Sequence, residues 1–497
     1  MADLFIPREQ AQADLLAAAA FLAERIRSSD GHAEAMSAVL PIYLDRGDVD
    51  LAAELANAVN DPHSRDKLLI KVAEKCAQSN DDEYAIQLAD AIEDHGLRSE
   101  AFERVGAVKA GQGNAAAAFE IADLMNHPDF IYAAVAFNQG SNGNDAGADE
   151  TLGRIEFSPA LSSALQNIAD AQIEKGELEK AVRSLERGAI AAEEIEHDEE
   201  RIRTLCEFGN HFIAAGRKDL AIETFEKARS YAEVLSNVHR DRLLVMCSIG
   251  FLHAGNDEVA DEILDLVSDK TQLASALLVF ARDSWKKEEK EEAVDTLEEA
   301  YAIIDSQKES ETRDSRARNA ILAAIAAQFA GFERIDRATE ISQNISDPQE
   351  QWAAISQIAQ LLTLQKKDDL ARDTINLIDD DTSRVSALIA ISDLKLRESE
   401  SEAALALQDE ASTLAETIPQ LVARSNVLNE IASRYAAQDL SERVRAIGIK
   451  NLETIGAIRD ESSQATALAN LSEVYKKAGL SLEEGEKDLI TRIIMKY

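Results

Sequence analysis

The stretch FGNHFIAAGRKDLAIETFEKA, residues 208–228, decides the fold. Gly209 and Gly216 lie seven residues apart, and so do Ala221 and Ala228. Apolar residues recur at spacings of three and four on both sides of Gly216, which predicts two amphipathic helices with one apolar stripe each. A glycine between them readily takes the left-handed conformation that ends a helix. The stretch therefore predicts one helical hairpin, in which Gly209 and Ala221 let the helices approach closely and Phe225 fills the space beside them.

Weaker copies of this stretch recur along the chain at intervals of about 30 to 43 residues. Their spacing predicts about 13 hairpins, preceded by an N-terminal helix near residues 10–29. The predicted turns lie at or near Gly47, Asn80, Gly113, Gly143, Gly176, Gly216, Gly255, Glu288, Gly331, Lys367, Ser399, Asp439 and Gly479.

The hairpin around Gly216 resembles the tetratricopeptide repeat family. The residues that carry this resemblance are Leu205, Phe208, Gly209, Phe212, Gly216, Ala221, Phe225 and Ala228. The other units match less closely, and the first three have alanine where the family has phenylalanine. The resemblance implies an all-α, right-handed superhelical solenoid of about 13 antiparallel helical hairpins, whose core forms between stacked units.

Differences in unit length predict four regions along the chain. These are an N-terminal capping helix at 1–30, short repeats at 31–159, mixed and mostly longer repeats at 160–315, and C-terminal repeats with a cap at 316–497. Extra turns on one helix of a hairpin alter the packing angle between neighbours. We therefore expect the curvature to change near residue 160 and again past residue 300.

The charge and the cysteines limit the classes of function. The chain has 92 acidic and 52 basic residues, a formal charge of −40, which disfavours binding to nucleic acids and to anionic membranes. The acidity fits either solubility or the steering of a basic partner. Three separated cysteines without a CxxC pair favour a reducing compartment, and we expect a cytoplasmic protein. The N-terminal apolar run follows acidic residues and predicts a helix, not a signal peptide.

The sequence has no motif typical of a catalytic, metal or cofactor site. His32, His63, His95 and His127 recur at intervals of 31 or 32 residues, which predicts exposed positions near helix starts rather than ligands of one metal ion. Residues 142–153 do not match a calcium loop, since Ala146 stands at the fifth position, where an oxygen ligand is needed, and Gly153 stands at the twelfth, where a glutamate is needed. We therefore expect no enzymatic activity, no cofactor and no metal. Trp285 and Trp352 lie among apolar residues at helical spacing, which predicts core positions.

The resemblance also implies that the first helices of successive hairpins line a concave surface. Positions of this kind that point outwards would form a groove for an acidic or polar peptide. Asn210 matches one position of the family's clamp for a terminal carboxylate, but Cys206 and Glu207 do not. The predicted partner-binding residues are Lys67, Lys71, Arg104, Asn167, Asp170, Arg203, Glu207, Asn210 and Arg242.

These features favour a non-catalytic scaffold, adaptor or regulatory subunit that binds a protein or peptide along the solenoid surface. One alternative is a structural protein that assembles with copies of itself. Others are a substrate or sensor subunit of a larger complex, and an enzyme subunit without a recognisable motif. The sequence does not identify the partner.

Overall fold

The computed structural model describes residues 5–306 and 315–496, and these residues form 28 α-helices and no strands. In chain order the helices are α1 (Arg8–Ala13), α2 (Leu15–Ala23), α3 (Ser29–Arg46), α4 (Val49–Asn57), α5 (Pro62–Gln78), α6 (Asp82–Asp90), α7 (His95–Gly111), α8 (Ala115–Ala122), α9 (Asp129–Ser141), α10 (Asp145–Leu152), α11 (Ser158–Glu174), α12 (Leu178–Glu193), α13 (Asp198–Ala214), α14 (Lys218–Glu233), α15 (Arg240–Ala254), α16 (Asp257–Leu264), α17 (Lys270–Lys286), α18 (Lys290–Asp305), α19 (Ser315–Gly331), α20 (Ile335–Ser342), α21 (Pro348–Leu364), α22 (Asp368–Ile375), α23 (Asp381–Arg397), α24 (Ser401–Ala415), α25 (Leu421–Ala437), α26 (Ser441–Ala457), α27 (Glu461–Lys477) and α28 (Glu484–Ile494).

The helices from α3 to α28 pair into 13 consecutive hairpins, which confirms the predicted all-α repeat architecture and its resemblance to tetratricopeptide repeats. Each odd-numbered helix from α3 onward is the first helix of a hairpin, and each even-numbered helix is the second. The chain forms two compact units. Unit 1 comprises residues 1–108 and 362–497, and unit 2 comprises residues 109–361. The four sequence regions defined above stay predictions.

A residue with positive φ marks every hairpin turn. Thirteen described residues have positive φ, and eleven of them are predicted turn residues. Gly216 is typical, with φ 78°, and its N–H donates to Ile213 O while the Arg217 N–H donates to Phe212 O. The other two turns differ slightly from the prediction, since Lys366 rather than Lys367 has positive φ, and Glu333 rather than Gly331 does. Helix α19 includes Gly331 and is followed by the buried Phe332, which moves that turn two residues on.

Phe225 explains the small residues of the deciding stretch. One edge of its ring lies so close to α13 that a Cβ at Gly209 would be 2.3 Å from Cε1, and a Cβ at Gly250 of α15 would be 2.4 Å from the same atom. Phe225 and Ala221 are fully buried. The predicted close approach at Gly209 is therefore confirmed, and Gly250 of the next hairpin contributes to the same packing.

Phe225 stands nine residues after the turn residue Gly216, a place we call the wedge position. In the hairpins before α27, the residue at this position is buried every time, although its chemistry varies from alanine to glutamine. The residues are Ala56, Ala89, Ala122, Leu152, Leu185, Phe225, Leu264, Leu297, Ser342, Ile375, Gln408 and Gly448.

Carboxylates near the starts of first helices join neighbouring hairpins within each unit. Asp66, Asp129 and Asp241 each accept hydrogen bonds from the two backbone N–H groups that lie 27 and 28 residues further along the chain, at donor–acceptor distances of 2.7 to 3.2 Å. These charge-assisted hydrogen bonds pair the backbone N–H groups that precede the first helix of the next hairpin, which have no partner within a helix.

The predicted N-terminal helix near 10–29 is instead two helices that separate at Asp14. The Asp14 carboxylate accepts a hydrogen bond from the Ala17 N–H at 2.8 Å and caps α2, which starts a new helix there. Every residue of α2 from Leu15 to Ala23 is buried, as expected of a helix that is apolar all round. Within unit 1, α2 packs against α3, α27 and α28.

Candidate partner-binding surfaces

The predicted binding residues of unit 1 lie on the first helices α5 and α7. Lys67 and Lys71 are exposed and have no ion-pair partner among the described residues. Arg104 is exposed too, but it pairs with Glu74 at 3.2 Å and with Glu100 at 2.9 Å. Only the two lysines therefore offer unpaired positive charge here.

The predicted residues of unit 2 lie on α11, α13 and α15, which contact one another in that order. Four of them are exposed, whereas Asp170 and Glu207 are partly buried. The exposed four are Asn167, Arg203, Asn210 and Arg242. The structure therefore places all six on adjacent first helices, and their binding role stays a prediction.

Ion pairs and hydrogen bonds occupy most of the charged groups on this face. Arg203 pairs with Glu207 at 3.1 Å, and Arg242 pairs with Glu199 of α13. His211 Nδ1 lies 2.7 Å from Asp170 Oδ1. The arginines here are therefore already neutralised by neighbouring carboxylates. The pair of Arg203 and Glu207 follows from their spacing of four residues on one helix, whereas the pair of Arg242 and Glu199 depends on the packing of α15 against α13.

A cleft across α17, α19 and α21 of unit 2 was not predicted from the sequence. We call it the Trp285 cleft. Its walls and floor come from Arg282, Trp285, Ala324, Ala327, Gln328, Gly331, Phe332, Gln357 and Leu361. All three helices are first helices of consecutive hairpins, so the cleft lies on the face where the resemblance places partner binding.

Trp285 forms one wall of this cleft and is only partly buried. Its ring stacks on Phe332 with centroids 4.2 Å apart and planes 11° apart, and Lys290 Nζ lies 5.2 Å from the ring centroid. Trp352 is also only partly buried. The prediction of core positions for both tryptophans was therefore wrong, because helical spacing shows which residues share a face but not whether that face is covered.

Two polar groups of the cleft have unused binding capacity. The Gln328 side chain is 8% exposed, and its Nε2 donates to Leu278 O at 2.9 Å. Its Oε1 is buried and has no hydrogen-bond partner among the described residues, which is costly for a buried acceptor. Arg282 is exposed and has no ion-pair partner among the residues of 5–306 and 315–496. The cleft therefore offers an acceptor and a cation.

A sequence signal for the cleft exists in AAIAAQFAG, residues 323–331. Ala324, Ala327 and Gly331 recur at spacings of three and four and leave one stripe of α19 without large side chains. A Cβ at Gly331 would meet no atom within 4 Å. The missing information was the position of Trp285, which lies about 40 residues away in sequence and is brought to this stripe only by stacking of the hairpins.

The four recurring histidines do not share one environment. His63, His95 and His127 are exposed near helix starts, as predicted, but His32 is 6% exposed within α3. Its Nδ1 has no hydrogen-bond partner among the described residues, and burial lowers its pKa. Among the described residues, no three His, Cys, Asp or Glu side chains are grouped in a way that could hold a metal ion.

Two of the cysteines, which are distant in sequence, touch in the structure. Cys206 on α13 and Cys247 on α15 are buried, and their Sγ atoms are 3.7 Å apart. The contact with Cys247, together with burial, raises the pKa of Cys206 well above its usual value. In unit 1, burial raises the pKa of Cys76 to about 11. The thiols of Cys206 and Cys76 are therefore protonated near neutral pH and are poor nucleophiles.

Comparisons with known proteins identify no family. No protein-family model matches the chain, and no curated protein matches it. Among the described residues, no helix combines the length and the apolar character needed to cross a membrane.

Several solved structures are similar at low identity. Ton1535 from Thermococcus onnurineus NA1 is 16% identical over 71% of this chain and 97% of its own, with a TM-score of 0.26. The STAND protein with a tetratricopeptide repeat sensor, PH0952 from Pyrococcus horikoshii, is 14% identical over 71% of this chain and 55% of its own, with a TM-score of 0.28. The structure of Naa15/Naa10 bound to HypK-THB gives 12% identity over 98% of this chain and 82% of that chain, with a TM-score of 0.33.

Proposed function

We propose that the protein is a non-catalytic scaffold that binds an extended segment of a partner protein across α17, α19 and α21. The observation that carries this proposal is the Trp285 cleft, which combines an aromatic wall, a floor of small residues, an unpaired guanidinium and an unpaired buried acceptor. Binding sites for ligands commonly combine apolar walls with a few polar groups that fix orientation.

An extended polypeptide fits the chemistry of this cleft. Ala324, Ala327 and Gly331 leave room for a backbone to approach α19 closely. The exposed carboxamide of Gln357 can exchange hydrogen bonds with peptide N–H and C=O groups. Arg282 adds a fork of donors that suits a carboxylate, so an acidic side chain of the segment is the expected specific contact.

The polar groups of the cleft favour binding over catalysis. A guanidinium, two carboxamides and an indole N–H do not readily act as proton donors or acceptors near neutral pH, which is what general acid–base catalysis needs. The proposal therefore assigns these groups to recognition.

Selection of displayed peptides of random sequence against the whole protein tests the proposal. We expect peptides with acidic residues, and we expect Arg282→Glu to weaken their binding about tenfold or more, since an ion pair becomes a repulsion. Ala324→Trp fills the cleft without changing charge and should also weaken binding. Arg183→Glu on α12 is the matched control because it makes the same charge change at an exposed arginine of unit 2 that has no ion-pair partner among the described residues and lies outside the Trp285 cleft.

Two results would contradict the proposal. One is a selection that yields no binding peptide. The other is a set of peptides whose affinity falls equally with Arg282→Glu and Arg183→Glu, which would show dependence on overall charge alone.

A further inference from the structure

A second cleft lies in unit 1, between the second helices α22 and α24, and α23 forms part of its lining. We call it the Lys395 cleft. It is lined by Thr363, Asp368, Ala371, Arg372, Ile375, Asn376, Leu388, Ile391, Lys395, Ala403, Ala406, Leu407 and Glu410. It shares no residue with the Trp285 cleft.

A step in helix length accounts for its position. Helix α22 has 8 residues, whereas α24 has 15. A cleft lined by both second helices also lies in unit 2 where α10, with 8 residues, precedes α12, with 16. In that cleft Lys180 pairs with Asp145 at 2.9 Å and Arg187 pairs with Asp149 at 2.6 Å, so charged side chains crowd its walls.

The Lys395 cleft differs because its lining is mainly apolar, with alanines and large aliphatic side chains from all three of these helices. Its cations are already neutralised. The Lys395 side chain is 4% exposed, and its Nζ lies 2.7 Å from Asp368 Oδ2 and 2.9 Å from Glu400 Oε2. Arg372 pairs with Glu410 at 2.9 Å and so links α22 to α24.

Unpaired acids of α22 lie beside this lining. Asp369 and Asp373 are exposed, stand four residues apart on α22, and have no ion-pair partner among the described residues. The apolar lining of the cleft therefore has a net negative edge on α22, on a chain whose formal charge is −40.

We propose that the Lys395 cleft is a second interaction surface, which binds an amphipathic basic helix of a partner protein. A large aliphatic side chain of that helix enters the cleft, and its lysines or arginines lie against Asp369 and Asp373. Helix-in-groove recognition of this kind uses apolar anchors at spacings of three and four. Apolar side chains from three helices meet in the cleft, which suits a side chain that projects from the apolar face of a partner helix. This proposal does not depend on the acidic peptide proposed for unit 2.

A defined probe tests it: a 5-carboxyfluorescein-labelled amphipathic helical peptide made only of leucine and lysine, with leucines at helical spacing. Its counterpart has serine in place of leucine and the same charge. We expect the leucine peptide to bind the whole protein, as measured by fluorescence anisotropy, and the serine peptide to bind at least tenfold more weakly.

Substitutions in and outside the Lys395 cleft show whether the labelled peptide binds there. Ala406→Trp fills the cleft from an exposed position of α24 and should weaken binding at least tenfold, and Ala403→Trp provides a second test if the first variant alters the circular dichroism spectrum. Ala446→Trp, at an exposed position of α26 in the same unit, is the matched control. Asp369→Asn with Asp373→Asn should weaken binding and reduce its dependence on salt.

The proposal is overturned if the leucine and serine peptides bind equally, if the leucine peptide does not bind, or if folded cleft-filling variants bind as well as the Ala446→Trp control. The substitution Arg282→Glu changes unit 2 alone. A failed peptide selection against the Trp285 cleft can therefore be told apart from a failure of the helical probe to bind the Lys395 cleft.

Discussion

Phe225 in unit 2 and Gln408 in unit 1 occupy the same wedge position and hold their hairpins together by opposite means. Phe225 is an apolar ring pressed against Gly209 and Gly250, with the ring of Phe251 at 5.7 Å. Gln408 is equally buried, but its amide lies 3.4 Å from Ser392 Oγ and accepts a hydrogen bond from Gln438 Nε2 at 2.9 Å. The wedge position is therefore buried because of its place in the repeat. The type of side chain there determines whether close packing or hydrogen bonds connect adjacent hairpins.

The two solutions place different demands on the surrounding sequence. The ring requires two glycines on the flanking first helices, since any Cβ there would overlap it. The amide requires polar partners on α23 and just after α25, which Ser392 and Gln438 supply. We expect mutations at the two positions to differ in both size and mechanism.

Phe225→Ala should have the largest effect. Removing a fully buried ring that touches two neighbouring helices leaves a cavity, and the expected loss is about 3–5 kcal/mol of unfolding free energy. Trp285 and Trp352 are the only tryptophans and both lie in unit 2, so urea unfolding followed by tryptophan fluorescence reports this unit. A loss below about 1 kcal/mol would show that the hairpins collapse onto the space and that the ring is not a wedge.

Gly209→Ala should have the next largest effect, about 1–3 kcal/mol, because the new methyl group would overlap the Phe225 ring. Phe225→Leu provides space for that methyl group, so the double variant should lose less than the sum of the two single losses. Gly331→Ala is the control, since its Cβ would meet no atom within 4 Å. Additive losses would mean that the overlap is relieved elsewhere.

The deciding stretch shows how far the sequence determines the fold. Turn residues and small residues act locally, so Gly216, Ala221 and Phe225 predicted the hairpin, and the same spacing located most other turns. The exception at Glu333 arises because the burial of Phe332 extends α19, which is a tertiary effect.

The candidate sites depended more strongly on packing between hairpins. Arg203 and Arg242 were correctly placed on first helices, but their partners Glu207 and Glu199 neutralise them. Trp285 and the small residues of α19 meet only when hairpins stack. The Lys395 cleft depends on the lengths of two successive second helices, which the sequence suggested only as a difference in unit length.

Gln408→Met should change the stability of unit 1 by less than about 1 kcal/mol. Methionine has similar volume, and both polar partners keep another hydrogen bond: Ser392 Oγ donates to Ile389 O at 2.8 Å, and Gln438 Nε2 donates to Arg434 O at 3.0 Å. Cys76 is the only cysteine of unit 1, so its rate of thiol labelling under native conditions, read by mass spectrometry, reports opening of this unit. A loss of several kcal/mol would show that the amide network acts as a unit.

His32 should give the smallest effect, and one that is confined to unit 1. Burial lowers its pKa, so between its folded and unfolded pKa values the unfolded state binds more protons than the folded state. The titration of His32 therefore does not affect the free energy of unfolding above about pH 6.5, and it destabilises the folded state as the pH falls below that value. We expect the rate of Cys76 labelling, corrected for the intrinsic reactivity of the thiol, to rise more between pH 7.5 and pH 5 in the wild type than in His32→Gln. The stability of unit 2, measured by urea unfolding with tryptophan fluorescence, should change equally in both proteins. If Cys76 labelling changes equally in the wild type and in His32→Gln, the imidazole acquires a partner or water on protonation. If the stability of unit 2 changes unequally in the two proteins, the two units do not unfold independently.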